Sequence, residues 1–144
     1  MALNGEIGFA YFGLCVEFLH RTVEFFDATF NNDNSQLLTV GCNTSAEDCT
    51  EGRISLIDVG TGSVLGVIPV EGDALQSVTY NADGTRFLTT DSTATVIERS
   101  ATTGEEIASY PASAPVLSAT YSNDGTTIII DAGAESLETV TIEQ

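Results

Sequence analysis

The stretch VTYNADGTRFLT, Val78 to Thr89, decides the reading of the chain, because two more versions of it occur. They are ATFNNDNSQLLT, Ala28 to Thr39, and ATYSNDGTTIII, Ala119 to Ile130. Each copy runs small or branched residue, Thr, aromatic, two short polar or small residues, Asp, then Asn or Gly. A two-residue polar spacer then leads into an apolar run. The aligned columns are Phe30, Tyr80 and Tyr121; Asp33, Asp83 and Asp124; and Asn34, Gly84 and Gly125. Apolar alternation before the turn and branched residues after it make two antiparallel strands. Asp accepts hydrogen bonds from backbone amides two residues on, and Gly or Asn tolerates a positive φ at the next position. The unit is therefore a β-hairpin, repeated three times, with these six residues forming its turns. A calcium loop in Asn31–Ser35 (NNDNS) is the competing interpretation, but each copy offers one acid where such a loop needs several oxygens.

A second landmark lies downstream of the first hairpin. Ile54 to Val70, ISLIDVGTGSVLGVIPV, reads as a strand (Ile54 to Asp58), a turn at Thr61-Gly62 and a strand (Val64 to Val70). The second copy is a strand over Ala94 to Ser100, a turn at Thr103-Gly104 and a strand over Glu106 to Tyr110. Each unit thus holds four short strands. The aromatic columns lie 50 and 41 residues apart, and the two Thr-Gly turns 42 apart. The surplus of the first unit falls in the loop around NTSAEDCTEG, where insertions cost little entropy.

A repeat of about 40 residues with four strands resembles the blade of the WD40-like and YVTN-like β-propellers. In such repeats the third strand often ends in Trp-Asp before a Thr-Gly turn; here Ile57-Asp58 precedes Thr61-Gly62, with Ile for Trp. The second copy departs further, with Arg99-Ser100 at that place. The Gly-His pair of the family is absent, Gly72-Asp73 and Ser113-Ala114 standing there, so its His-to-Asp network is missing. The resemblance implies an all-β chain: a partial propeller of about three blades, 22–72, 73–112 and 113–144, the last one incomplete. Residues 1–21 form a separate apolar segment, a strand or interface element that would supply a closing strand.

Three blades do not close a ring. The expectation is therefore that a protein partner or self-association completes the propeller. The four aromatics Phe9, Tyr11, Phe12 and Phe18 of the N-terminal run are the candidate interface, with filling of the chain's own core as the alternative.

Charge narrows the partners. The 144 residues carry 21 acids against 4 arginines and no lysine, a formal net charge of −17. A nucleic-acid binder needs a basic stripe, so none is expected. The ten-residue run Ile7 to Val16 is too short to cross a bilayer, so no membrane insertion is expected either. The start MALNGE lacks the basic residues of a signal peptide, which points to the cytoplasm and leaves localisation otherwise unknown. Acids dispersed in runs no longer than two, with no lysine, also fit a salt-adapted surface. Cys42 and Cys49 are spaced to pin a surface loop by a disulfide, leaving Cys15 over; three free thiols are the alternative.

Catalytic chemistry finds little footing. His20 is the single histidine, with no second one for a zinc site and no Gly-x-Ser-x-Gly elbow to serve. Pairing Cys15 with His20 would leave both in one local segment with nothing to orient them. Gly60, Gly62 and Gly66 lack the lysine and helix of a phosphate loop. The acid pairs Asp48/Glu51 and Glu105/Glu106 read as turn residues. The expectation is no catalytic residue, no metal, no cofactor and no enzyme. A protein-interaction scaffold or assembly subunit comes first. A salt-adapted surface, extracellular or viral propeller, binding a ligand or coating a surface, is the alternative.

Overall fold

The computed structural model describes residues 24–43, 49–133 and 137–142. The N-terminal aromatics Phe9, Tyr11, Phe12 and Phe18, the proposed closing strand, Cys15 and His20 lie outside the described residues. Every regular element described is a β-strand, and the strands form three antiparallel sheets of four, four and three. The chain divides into two compact units, Met1–Ala74 and Leu75–Gln144.

The first unit holds one sheet of four strands in chain order: β1 (Glu24–Phe30), β2 (Gln36–Cys42), β3 (Glu51–Asp58) and β4 (Val64–Glu71). Strand β2 is buried along nearly its whole length. Leu37 and Ile57 are fully buried and pack with Phe25, Ala28, Phe30 and Val59. Phe30, the aromatic that defines the first repeat, is thus a core residue. Gly41 is required where β1 crosses β2, because a Cβ there would lie 1.9 Å from the Glu24 carbonyl oxygen.

The second unit holds two sheets. One runs β5 (Ser77–Tyr80), β6 (Arg86–Thr90), β7 (Thr95–Ser100) and β8 (Glu106–Pro111) in chain order. The other holds β9 (Ser118–Tyr121), β10 (Thr127–Asp131) and β11 (Glu138–Thr141), with β10 in the middle. Strand β9 packs against β5 and β6. The common core is Leu88, Val96, Val116, Ala119, Ile128 and Ile130, so both sheets fill it. Branched and aliphatic residues alternating on these strands are what allow one face of each to be buried.

Three β-bulges recur with one consequence. The register skips Phe26 on β1, Leu65 on β4 and Ile107 on β8. The skips at Leu65 and Ile107 occur at the same step of the two four-stranded sheets, opposite Leu56/Ile57 and Glu98/Arg99. A bulge places two residues against one and turns the extra side chain out of the ladder. All three extra residues are exposed large hydrophobics.

The strand boundaries follow the sequence pattern closely, with one correction. Glu51, expected in a turn, opens strand β3, while Glu106, read both as a turn acid and as the start of a strand, opens β8. The cause is local: the ladder continues past the apolar run, and Glu51 pairs with Glu71 while Glu106 pairs with Arg99.

Candidate functional site

The hairpin turns show what their sequence columns do. Oδ1 of Asp33, Asp83 and Asp124 accepts the backbone N–H of Ser35, Thr85 and Thr126 at 2.9, 2.9 and 3.0 Å. Asn34, Gly84 and Gly125 follow with φ of 59°, 73° and 71°. Hydrogen bonds from the hydroxyl and then the amide of Ser35 and Thr85, and from the amide and hydroxyl of Thr126, hold the three carboxyls below the ordinary range, Asp124 down to about 2. A third column completes the turn. The side chains of Asn31, Asn81 and Ser122 each accept the N–H five residues on, at 3.0 Å in every copy. That column is visible in the sequence as Asn, Asn and Ser directly after the aromatic; only its role was not legible.

The Thr-Gly turns use related chemistry. Asp58 Oδ1 accepts both the N–H and the hydroxyl of Thr61, and Gly62 takes φ 71°. In the second copy Ser100 replaces the acid and its hydroxyl accepts from the N–H of Thr102 and Thr103, with Gly104 at φ 74°. Arg99, in the column of Ile57, is 9% exposed. Its guanidinium donates to the Thr89 hydroxyl and the Gly104 carbonyl, both at 3.2 Å, and burial pulls its pKa down.

The strongest polar feature was missed entirely. Glu98, on β7, is 1% exposed, and both its oxygens are bonded. Tyr121, on β9 of the neighbouring sheet, donates its hydroxyl to Oε1 at 2.9 Å. Tyr110, on β8, donates to Oε2 at 3.1 Å, and Arg86 Nη1 lies 3.4 Å from the same oxygen. A carboxylate with three donors tolerates burial that an isolated one would not. Burial and the adjacent Glu98 push the Tyr121 and Tyr110 hydroxyls above their ordinary pKa. Both therefore stay protonated donors at neutral pH, and neither is poised to exchange a proton there. Beside this cluster a cavity of about 410 Å³ opens between the turns of the two hairpins, lined by Asp83, Arg86, Glu98, Tyr121 and Asp124 among others. The sequence did carry one signal: Glu98 stands inside the strand TVIERS, where the corresponding residue of the first sheet is Leu56.

In the first unit the exposed apolar surface gathers on β4. Val64, Leu65 and Val67 are 38%, 52% and 44% exposed within four residues of an edge strand. At the end of β2, Cys42 is joined to Cys49 by a disulfide with their Cα atoms 5.9 Å apart. Asn43, which follows Cys42, donates its side-chain N–H to Glu51 at 2.7 Å and accepts from Arg53 at 3.0 Å. Among the described residues no group of His, Cys, Asp and Glu is arranged to hold a metal ion. No helix among them is long and apolar enough to cross a membrane.

No protein family matches the chain, and no curated protein is similar to it. Solved structures do match. One is the Kuenenia stuttgartiensis hydrazine synthase, with a TM-score of 0.66 and 15% identity over 81% of this chain. The chain spans about a third of that protein's length, since 32% of it is covered. At that identity the likeness concerns the fold alone.

Proposed function

We propose that the chain is a segment of a WD40-like or YVTN-like β-propeller and acts as a non-enzymatic protein-interaction scaffold or assembly subunit. Support for the architecture comes from three antiparallel meanders with the same Asp-Gly or Asp-Asn turn, repeated at blade-like spacing. Support for the role comes from one observation above others: an edge strand, β4, that exposes Val64, Leu65 and Val67 together. Contiguous exposed apolar surface on a soluble chain marks an interaction site. The bulge at Leu65 and the proline at Pro69 interrupt that edge, which favours contact through side chains over unlimited strand addition. The buried polar groups around Glu98 are bonded to one another, so they serve packing between two sheets and offer no free acid or base.

Native mass spectrometry tests the proposal. A complex of the chain with a second, different protein, lost on Leu65→Ser with Val67→Ser, is the expected result. A lone chain that turns over a substrate would overturn it.

The Cys42–Cys49 disulfide favours a second reading, a surface or extracellular propeller of a salt-adapted source, because such bonds persist in oxidising compartments. Thiol titration of the chain as isolated from its source separates the two. One free thiol supports the extracellular reading, and three support the intracellular scaffold.

A further inference from the structure

The apolar strip on β4 has charged ends, and they define what it takes up. At one end Asp58 closes the Thr61 turn, its carboxyl held ionised by the Thr61 hydroxyl and amide. At the other end Glu51 and Glu71 face each other across β3 and β4. Like charges directly opposite on a sheet repel. Glu51 is engaged by Asn43, whereas Glu71 is exposed. Strand β4 carries no basic residue, and Arg53 on β3 is buried and turned to Ser55 and Asn43. Between these ends the strand is open at Gly66, where a Cβ would meet nothing within 4 Å. The strip is thus apolar in the middle and negative at both ends.

Self-association is the first alternative, and charge argues against it. A second copy would bring another −17, with the same acids meeting at both ends of the strip. Building on the scaffold reading, we propose that β4 docks an extended segment of a protein partner that is apolar in its centre and carries lysine or arginine at both ends. Val64 to Glu71 extends about 23 Å at 3.3 Å per residue, so an extended segment of about eight residues matches it. Side chains of the segment cover Val64, Leu65 and Val67. Its basic ends neutralise Asp58 and the Glu51/Glu71 pair.

The test uses the full chain and two synthetic octapeptides of alternating valine and threonine, one ended by lysines and the other by glutamates. Calorimetric titration at low salt is expected to show binding of the lysine peptide only. Leu65→Ser with Val67→Ser should weaken it about tenfold or more, the scale of two lost apolar contacts. Glu71→Gln should weaken it and lower its salt sensitivity. Ile107→Ser, which trims an equivalent bulge on β8, and Asp83→Asn, which removes one charge elsewhere, should leave it unchanged. Equal binding of the two peptides, no binding of the lysine peptide, or indifference to the Leu65 and Val67 changes would each overturn the inference. An assembly of identical copies that the Leu65 and Val67 changes dissolve would also overturn it, while leaving the scaffold reading standing.

Discussion

Replacing Tyr121 by Phe removes one hydroxyl and leaves the ring, so it isolates the bond that ties the β9 sheet to Glu98 on β7. In the wild-type chain Glu98 has three donors, at 2.9, 3.1 and 3.4 Å, and almost no access to water. Phe at 121 leaves Oε1 without its hydroxyl while Oε2 keeps Tyr110 and Arg86. Hydrogen bonds to a charged group contribute about 1.5 to 3 kcal/mol, and the buried acceptor cannot turn to solvent, so a loss of about 2 kcal/mol is expected. With a urea slope of about 2 kcal/mol/M, the midpoint of the second unit falls by about 1 M.

The same substitution has a signature in pH. The Tyr121 hydroxyl is raised above its ordinary value of 10.0 by burial first and Glu98 second. The folded chain therefore keeps a proton that the unfolded chain releases, and this contribution is fully present below pH 10. It is lost as pH climbs beyond that value. Tyr121→Phe should flatten the alkaline decline of stability, and a urea midpoint series from pH 8 to pH 11 measures it. Combining it with Glu98→Gln should give less than the sum of the two losses, because the two changes remove one interaction. A Tyr121→Phe loss under about 0.5 kcal/mol, with the alkaline slope intact, would refute the idea that Glu98 joins these two sheets.

Other perturbations have equally definite outcomes. Asp124→Ala should destabilise its hairpin while Asp124→Asn, which keeps an acceptor, should be milder; thermal melts compare the two. The depressed carboxyls of Asp33, Asp83 and Asp124 support stability above their unfolded value of 3.8 and lose it as pH falls below that value, Asp124 toward about 2, so acid unfolding should begin there. Gly41→Ala should be among the most damaging single-methyl additions, since it drives a Cβ into the Glu24 backbone; a soluble variant with unchanged melting would contradict the β1–β2 packing. Reducing the Cys42–Cys49 bond should lower stability by about 2 to 3 kcal/mol on the loop-closure estimate, read as a shift in urea midpoint with and without reductant.

What could be read from the sequence, and what could not, divides along sequence distance. The hairpin turns were legible because every bond in them joins residues two to five apart, as from Ser35 to Asp33 and from Gln36 to Asn31. Turn chemistry of that range is written in adjacent letters. The clamp on Glu98 joins residues 12 and 23 positions apart, and no local pattern announces such contacts. The aromatic column makes the point within one family of positions. Phe30 fills the first core, Tyr80 sets its ring edge-on to Phe87 at 6.0 Å, and Tyr121 alone uses its hydroxyl to hold a buried acid. A column read as one conserved-looking aromatic therefore hides three jobs, because the partner of each ring is chosen by tertiary packing and not by the repeat.

The bulges extend the same reasoning to the surface. A strand read as alternating letters gives Leu65 and Ile107 a place in the ladder, yet one extra residue opposite Leu56/Ile57 and Glu98/Arg99 turns each of them outward. Two sheets of the same chain repeat this at the same step, which a packing error in one sheet would not do. The repeated device costs apolar exposure twice, but only on β4 does it meet two further exposed valines and acids at both ends. If exposure at the bulge alone made a docking site, Ile107→Ser and the paired Leu65 and Val67 changes would act alike. Their expected divergence is what assigns partner contact to β4 rather than to the bulge as such.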